Sequence, residues 1–420
     1  MEKSPTMKKV CFFEKLFVIL QRQKLDNMKK IILITLIFSC LGCYAQVESE
    51  YEKYVREQNE KMQQMKHDQN EGMSKLQKEY EDYVKAEKEA YDRFIKEREE
   101  TWGKGNVKES TQTDWVEYSK DGNSRSTVDF ETGEATIEII QEKGTPVDKK
   151  ELEKKLKFLL TNKGTTKDYD SEKEKAVPLQ ETPVLENQVV TPKGEVVTKA
   201  NIDEGVKEIV KDAKPEVKTI KGDDNVVREV VVIKLDLAPD HIKTRASNYI
   251  KEVQKYCQKW GVDPALAFAI MQTESSFNPK AKSHVPAYGL MQIVPRSAGA
   301  DCAQSLKKSF SAPTANYLYE PENNIEMGVH YLYLLKKRYY TKVTDKKSQN
   351  LCVIASYNTG AGNVARALRG DTNISKAIPK INDMTYDQLF KYFEKKLLPE
   401  TQNYIRKVTE RMNNFKTWLE

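Results

Sequence analysis

The chain has 420 residues, 39% of them hydrophobic and 31% charged, with a formal net charge of +6. That length calls for two or three domains, and the apolar fraction is too low for one large uniform core. Charge is unevenly placed: Leu237 to Glu420 carries 27 Lys and Arg against 16 Asp and Glu, and the remainder is net acidic. A basic C-terminal part suits an anionic polymer, which could be nucleic acid, an acidic membrane face or a cell-wall glycan bearing peptide carboxylates.

Met28-Lys29-Lys30 followed by Ile31 to Phe38 reads as the basic and apolar regions of a signal peptide over 28–45. At about a dozen residues the apolar run is too short to span a bilayer. Residues 1–27 read as an upstream extension. Two cleavage sites fit. Leu41-Gly42-Cys43 resembles a lipobox, which would anchor the chain in the membrane through a lipid on Cys43. Cys43-Tyr44-Ala45 before Gln46 resembles an ordinary signal-peptidase site. Either makes the protein exported, periplasmic or an outer-membrane lipoprotein, and weighs against nucleic acid as partner. Cys257, Cys302 and Cys352 have no zinc spacing; buried thiols or one disulfide account for them. Nothing in the sequence sets the oligomeric state.

Gln46 to Trp102 is Glu-, Lys- and Gln-rich and free of proline. Apolar residues recur in steps of three and four, as in Tyr51, Tyr54 and Val55 or Tyr80, Tyr83 and Val84, which predicts a helical stalk over 46–102. From 103 to 236 the period becomes two. Thr127 to Phe130 and Ala135 to Ile140 flank a Glu-Thr-Gly-Glu turn and predict a hairpin. Lys149 to Leu160 predicts an amphipathic helix. Gln188 to Val190 and Glu195 to Val197 predict a second hairpin, and Val226 to Leu237 a long strand. This segment is a small α+β domain with no catalytic constellation. From 237 to 420 the pattern is helical, with helices expected at His241–Trp260, Asp263–Ser275, Asn324–Tyr340, Ser348–Tyr357 and Glu400–Trp418. The fold class is therefore α+β and multidomain, with a mainly α C-terminal domain.

The chemistry concentrates in that domain. Asp263-Pro264 opens a helix with an acidic N-cap and a proline in its first turn. Glu274 ends it, where the helix dipole opposes a carboxylate and favours the protonated form. Burial would act in the same direction. No Asp or Glu occurs between Ser275 and Ala300. A proton-holding glutamate with no acidic neighbour in sequence suits a general acid for glycosidic cleavage. Taken alone, an ordinary exposed helix glutamate is the better explanation. Tyr288-Gly289-Leu290-Met291-Gln292 adds a turn glycine followed by a soft apolar side chain and an amide. Ser356-Tyr357-Asn358-Thr359-Gly360 ends another helix.

Together these segments resemble the soluble-lytic-transglycosylase (SLT) family. Glu274-Ser275, Gly289 to Gln292, Ser356-Tyr357-Asn358 and the late Tyr404 stand in the family's order. Ser356 replaces a usual alanine, and Thr359 a common glycine. Asp114 to Tyr118, Arg125 to Phe130 and Glu134 to Ile139 resemble the N-terminal domain of the murein transglycosylase C type. The likeness runs over about 85–420 and is patchy from 141 to 230.

The resemblance implies a goose-type lysozyme-like catalytic domain acting on peptidoglycan glycan strands, with no cofactor and no metal. It implies Glu274 as the single catalytic acid and base. Ser275, Ser283, Tyr288, Gly289, Met291, Gln292, Tyr357, Asn358 and Tyr404 become substrate-binding positions, with Ser283 placed to polarise the substrate's N-acetyl group. The implied reaction closes a 1,6-anhydro ring on N-acetylmuramic acid. The alternatives are a hydrolytic muramidase and a non-catalytic glycan-binding protein. His241, His284 and His330 have no ligand spacing, and His67 falls in the stalk. Lys336 to Tyr340 reads as a solvated helix face.

Overall fold

The computed structural model describes residues 71–167 and 175–420, with Arg56 alone before them. The expected upstream extension, the signal peptide, Cys43 and the first part of the stalk, 46–70 apart from Arg56, lie outside the described residues.

The class is α+β, as expected. A five-stranded antiparallel sheet has the order β1-β2-β3-β5-β4. Its strands are β1 Asp114–Tyr118, β2 Ser124–Asp129, β3 Glu134–Glu142, β4 Glu216–Lys221 and β5 Val227–Asp236. The predicted hairpin is β2–β3, with Asp129 opposite Glu134. One face buries Val128, Ala135, Ile137, Val231, Ile233 and Leu235. Against it pack Leu152, Leu156, Leu159 and Leu160 of α2 (Lys149–Thr161) and Val206, Ile209 and Val210 of α3 (Ile202–Asp212).

The first helix, α1 (Glu71–Trp102), confirms the helical period, but its described length is not a free stalk. Trp102 is buried against Val230 and Val232 on the sheet's other face, and its Nε1 donates to Gly122 O at 2.8 Å. The Arg125 guanidinium lies 4.0 Å from the Trp102 ring centroid and grips Glu138 through Nε and Nη2 at 2.6 and 2.9 Å. Earlier in α1, Tyr83 OH accepts from Ala315 N at 3.1 Å, and Arg296 lies over the Tyr80 ring. Aromatic residues spaced by three and four thus mark a docking stripe.

Several expectations change in detail. The second hairpin is reduced to the single bridge Val190 to Val196 around a Thr191–Gly194 turn, and Val189 bridges instead to Leu237. The helix expected over His241–Trp260 is two, α4 (His241–Ser247) and α5 (Ile250–Trp260), broken at Asn248 and Tyr249. The helical part continues with α6 (Pro264–Ser275), α7 (Ala300–Ser305), α8 (Ala315–Tyr319), α9 (Pro321–Tyr339) and α10 (Lys346–Thr359). It closes with α11 (Ala361–Arg369), α12 (Ile374–Asn382), α13 (Tyr386–Lys396) and α14 (Pro399–Leu419). Cys257, Cys302 and Cys352 are buried free thiols.

At the centre lies α6. Asp263 caps it by accepting from Ala265 N at 2.9 Å, and every residue from Ala265 to Met271 is buried. A helix apolar on all sides must be enclosed on all sides. Helix α14 crosses it, stacking Phe415 on Phe268 at 5.3 Å.

Candidate active site

Three elements deliver the site: the C-terminus of α6, the loop Tyr288–Gln292, and the junction of α10 with α14. Glu274 stands in the last turn of α6. After it the chain makes a tight left-handed exit, with φ of +49° at Ser276 and +61° at Phe277. Two successive non-glycine residues in that region are costly. Phe277, fully buried beside Phe268 and Phe415, anchors the turn.

The loop is built around Asn324 of α9, which is fully buried. Its Nδ2 donates to Tyr288 O at 2.7 Å and Leu318 O at 2.8 Å, and its Oδ1 accepts from Met291 N at 2.8 Å. Gly289 has φ +73°, and a Cβ there would stand 2.3 Å from both Asn324 Nδ2 and Leu318 O. Only glycine meets both demands. Gln292, at φ +48°, donates from Nε2 to Ala281 O and Gly289 O, each at 3.0 Å. Its Oε1 is buried without a partner. Tyr357 OH donates to Met291 O at 2.7 Å, and Met291 fills the space left by Gly328.

Helix α14 closes the site. Tyr404 OH donates to Glu274 Oε1 at 2.5 Å. One turn earlier, Thr401 Oγ1 donates to Asn358 Oδ1 at 2.7 Å, and Asn358 Nδ2 donates to Glu400 Oε1 at 3.3 Å. Burial pushes the Glu274 carboxyl up from 4.5 to about 7; the Tyr404 hydrogen bond opposes that shift and the Glu400 charge adds to it. Burial first, and the Glu274 charge next, hold the Tyr404 phenol well above its ordinary value. The arrangement keeps one carboxyl able to give or take a proton near neutrality.

Of the positions expected to bind substrate, Tyr404 holds the expected catalytic carboxyl of Glu274, Tyr357 feels its charge, and Asn358 joins the same end of α14 through Glu400 and Thr401. Among the expected positions, Ser275, Gly289 and Met291 lie buried. Ser275 has no exposed surface, and its Oγ donates to Met271 O at 3.0 Å and Leu290 O at 2.8 Å. That hydroxyl ties α6 to the loop. Met291 is likewise fully buried, so it frames the cleft from behind, as Gly289 does. Tyr288 keeps 9% exposure and packs its ring edge-on to Tyr319 at 5.5 Å. Ser283 is partly exposed and sits in a local turn, donating from Oγ to Val285 O and accepting from Ala287 N at 3.3 Å.

Asn324, Thr401 and Glu400 escaped the sequence reading. Asn324 looked like a helix start, yet it lies one turn inside α9 and faces the core. Glu400 is distant in sequence from the acid-free stretch, and only the packing of α14 brings its charge to bear. Among the described residues no group of three or more His, Cys, Asp or Glu could hold a metal ion. No described helix is long and apolar enough to cross a membrane.

Residues 251–378 match the profile of the Transglycosylase SLT domain. Residues 73–248 match that of the membrane-bound lytic murein transglycosylase C N-terminal domain. Residues 251–378 are thus a transglycosylase SLT domain, and the protein is an enzyme of the lytic transglycosylase class. Over 317 residues the chain is 32% identical to membrane-bound lytic murein transglycosylase C of Haemophilus influenzae (strain PittEE), covering 75% of this chain and 85% of the relative. The same-named protein of Sodalis glossinidius is 32% identical over 316 residues, covering 75% and 86%. The chain belongs to the membrane-bound lytic murein transglycosylase C family.

Solved structures with a partial likeness include an inactive mutant of lytic transglycosylase Slt from Pseudomonas aeruginosa. It is 19% identical, with a TM-score of 0.33, over 43% of this chain and 28% of that one. The 70-kDa soluble lytic transglycosylase from Escherichia coli is 23% identical, with a TM-score of 0.34, over 43% and 26%. The matched region spans little more than a quarter of those longer chains.

Proposed function

We propose that the protein cleaves the β-1,4 bond between N-acetylmuramic acid and N-acetylglucosamine in peptidoglycan without adding water, leaving 1,6-anhydro ends. The observation that carries this reading is the state of Glu274, a carboxyl pushed up to about 7 and held by Tyr404. In the first step protonated Glu274 gives its proton to the bridging oxygen as the C1–O4 bond breaks. The substrate's own acetamide supports the cation at C1. In the second step the carboxylate takes the proton of the C6 hydroxyl while O6 bonds to C1. The proton returns to Glu274, and no water is consumed. A carboxyl with its pKa near the working pH serves both directions.

Ser283, Tyr288, Gln292, Tyr357 and Asn358 border the sugar path in this reading, and Tyr404 orients Glu274. Ser283 would turn its hydroxyl from Val285 O to the acetamide. The basic balance of 237–420 suits a polymer bearing peptide carboxylates. The 103–236 segment acts as one domain and 237–420 as the catalytic one. Export through the 28–45 signal, with a lipid on Cys43, fits relatives named as membrane-bound. The mass of the mature N-terminus tests that point.

A second reading, a hydrolytic muramidase, draws on one observation: the Glu400 charge acts on Glu274. Two-carboxylate glycosidases place a second acid across the cleft. Digestion of purified sacculi followed by mass spectrometry decides. Products lighter by one water at the muramic end, and none from Glu274→Gln, support the transglycosylase. Reducing-end products, or cleavage abolished as fully by Glu400→Gln as by Glu274→Gln, overturn it.

A further inference from the structure

Arg245 on α4 is 2% exposed and has no carboxylate among its hydrogen-bond partners. Its Nε donates to Ser276 O at 3.1 Å, two residues past Glu274. Its Nη2 donates to Phe130 O at 2.7 Å, and its Nη1 to Gln188 Oε1 at 2.7 Å. Nη1 also lies 2.9 Å from His241 Nδ1, and the guanidinium stands 4.5 Å from the Phe130 ring centroid. Burial, with the Arg245 charge adding to it, pulls His241 down to about 4. That leaves the imidazole neutral and able to accept. Burying a guanidinium without an ion pair is costly. Here its bonds to Ser276, Phe130 and Gln188 link the C-terminus of the Glu274 helix to the sheet domain, while His241 steadies it from its own helix.

Three further links converge on the same short stretch. Asn278 Nδ2 donates to Asp114 O at 3.2 Å and to Thr111 O and Gln112 O at 3.4 Å. Lys282 N donates to Thr111 O at 3.1 Å. On the opposite side, Arg411 of α14 donates to Thr273 Oγ1 at 3.1 Å and reaches Glu131 in the β2–β3 turn at 3.7 Å. Thr273, Ser276, Asn278 and Lys282 bracket Glu274, and each is tied to residues between 111 and 131, directly or through one arginine. The exit from α6 runs through two left-handed residues that would relax if released.

We propose that the sheet domain is a positioning module for Glu274, acting chiefly through Arg245. Arg245 clamps the strained cap at Ser276, and the clamp keeps the carboxyl enclosed and aligned with Tyr404. Loosening it would let water reach the carboxyl, return its pKa toward the ordinary carboxylate range and misplace the proton donor. An ångström of misplacement can cost on the order of 100-fold in rate. Arg245 touches no reacting atom, so its part is indirect. The inference rests on Glu274 being the acid and base.

The test uses the full chain and purified glycan strands, with kcat, KM and thermal melting recorded from pH 4.5 to 9. Arg245→Met should lower kcat at least tenfold with KM within twofold, and should move the alkaline limb of kcat/KM down by a pH unit or more. Arg245→Lys should recover part of both. A folded Arg245→Met with a wild-type limb, even if it melts early, refutes the inference, since a purely structural role lowers stability without moving the limb. Should Arg245→Met fail to fold, Glu131→Gln on the surface replaces it. It should lower kcat two- to fivefold with a limb shift in the same direction, and a wild-type profile overturns the inference. Glu274→Gln separates the two ideas. An active Glu274→Gln defeats the functional reading itself. An inactive one beside a wild-type Arg245→Met profile defeats only the positioning role.

Discussion

Glu274→Gln should make the protein more stable, by an amount that grows as pH rises from about 4.5 to 7 and then levels off. The carboxyl titrates at about 7 in the folded chain against an ordinary 4.5. The folded state therefore holds this proton more tightly than the unfolded state does. Its stabilising effect is fully present below about pH 4.5 and is lost as pH rises through 7. Each pKa unit is worth about 1.4 kcal/mol, so at pH 8 the enclosed carboxylate costs about 3 kcal/mol. That figure is a ceiling, because Glu274 keeps some solvent contact. Glutamine retains an acceptor for Tyr404 OH and carries no charge. At pH 5 little of that cost has accrued, and the two proteins should melt within about 2 °C of each other. At pH 8 the variant should melt higher by roughly 3–6 °C, at about 2 °C per kcal/mol for a chain of this size. Scanning calorimetry at both pH values measures the difference. A gap of the same size at pH 5 and pH 8, or a variant less stable at pH 8, would refute the account of an enclosed, proton-holding carboxyl.

Tyr404→Phe removes the hydrogen bond that opposes the upward shift. A bond to a charged group is worth about 1.5–3 kcal/mol, so the alkaline limb of kcat/KM should rise by about 1–2 units while kcat falls about 10- to 100-fold. This is the opposite direction from Arg245→Met, and a pH–rate profile distinguishes them. Ser275→Ala should cost about 1–3 kcal/mol in chemical denaturation and leave KM unchanged; a large rise in KM would return Ser275 to the sugar path. Gly289→Ala, with its Cβ 2.3 Å from Asn324 and Leu318, should destabilise by about 2–4 kcal/mol. A melting curve near wild type would contradict the close approach.

Local chemistry made much of this molecule legible in the sequence. The Asp263-Pro264 start and the Glu274 end of α6 follow from capping and proline rules that act within one turn. The β2–β3 hairpin follows from alternation around Gly133. Strands β1 and β4 were missed because short polar edge strands carry little alternation: β4 is exposed at five of its six positions. Helices α11 to α13 were missed because they are short and their apolar faces mean something only against neighbours. The burial of Ser275 was not legible, because its place in a motif says nothing about which way its hydroxyl points.

The sequence alone determined which residue types could hold a proton, turn a loop or end a helix, since those are properties of neighbours along the chain. Tertiary structure decided which of them meet. Tyr404 reaches Glu274 across a sequence separation of 130, Asn324 shapes a loop it does not belong to, and Arg245 joins a helix cap to a sheet. The Glu274 pKa belongs to that second group. Burial is its largest cause, and burial is a sum over surrounding atoms from distant segments, which no local pattern encodes.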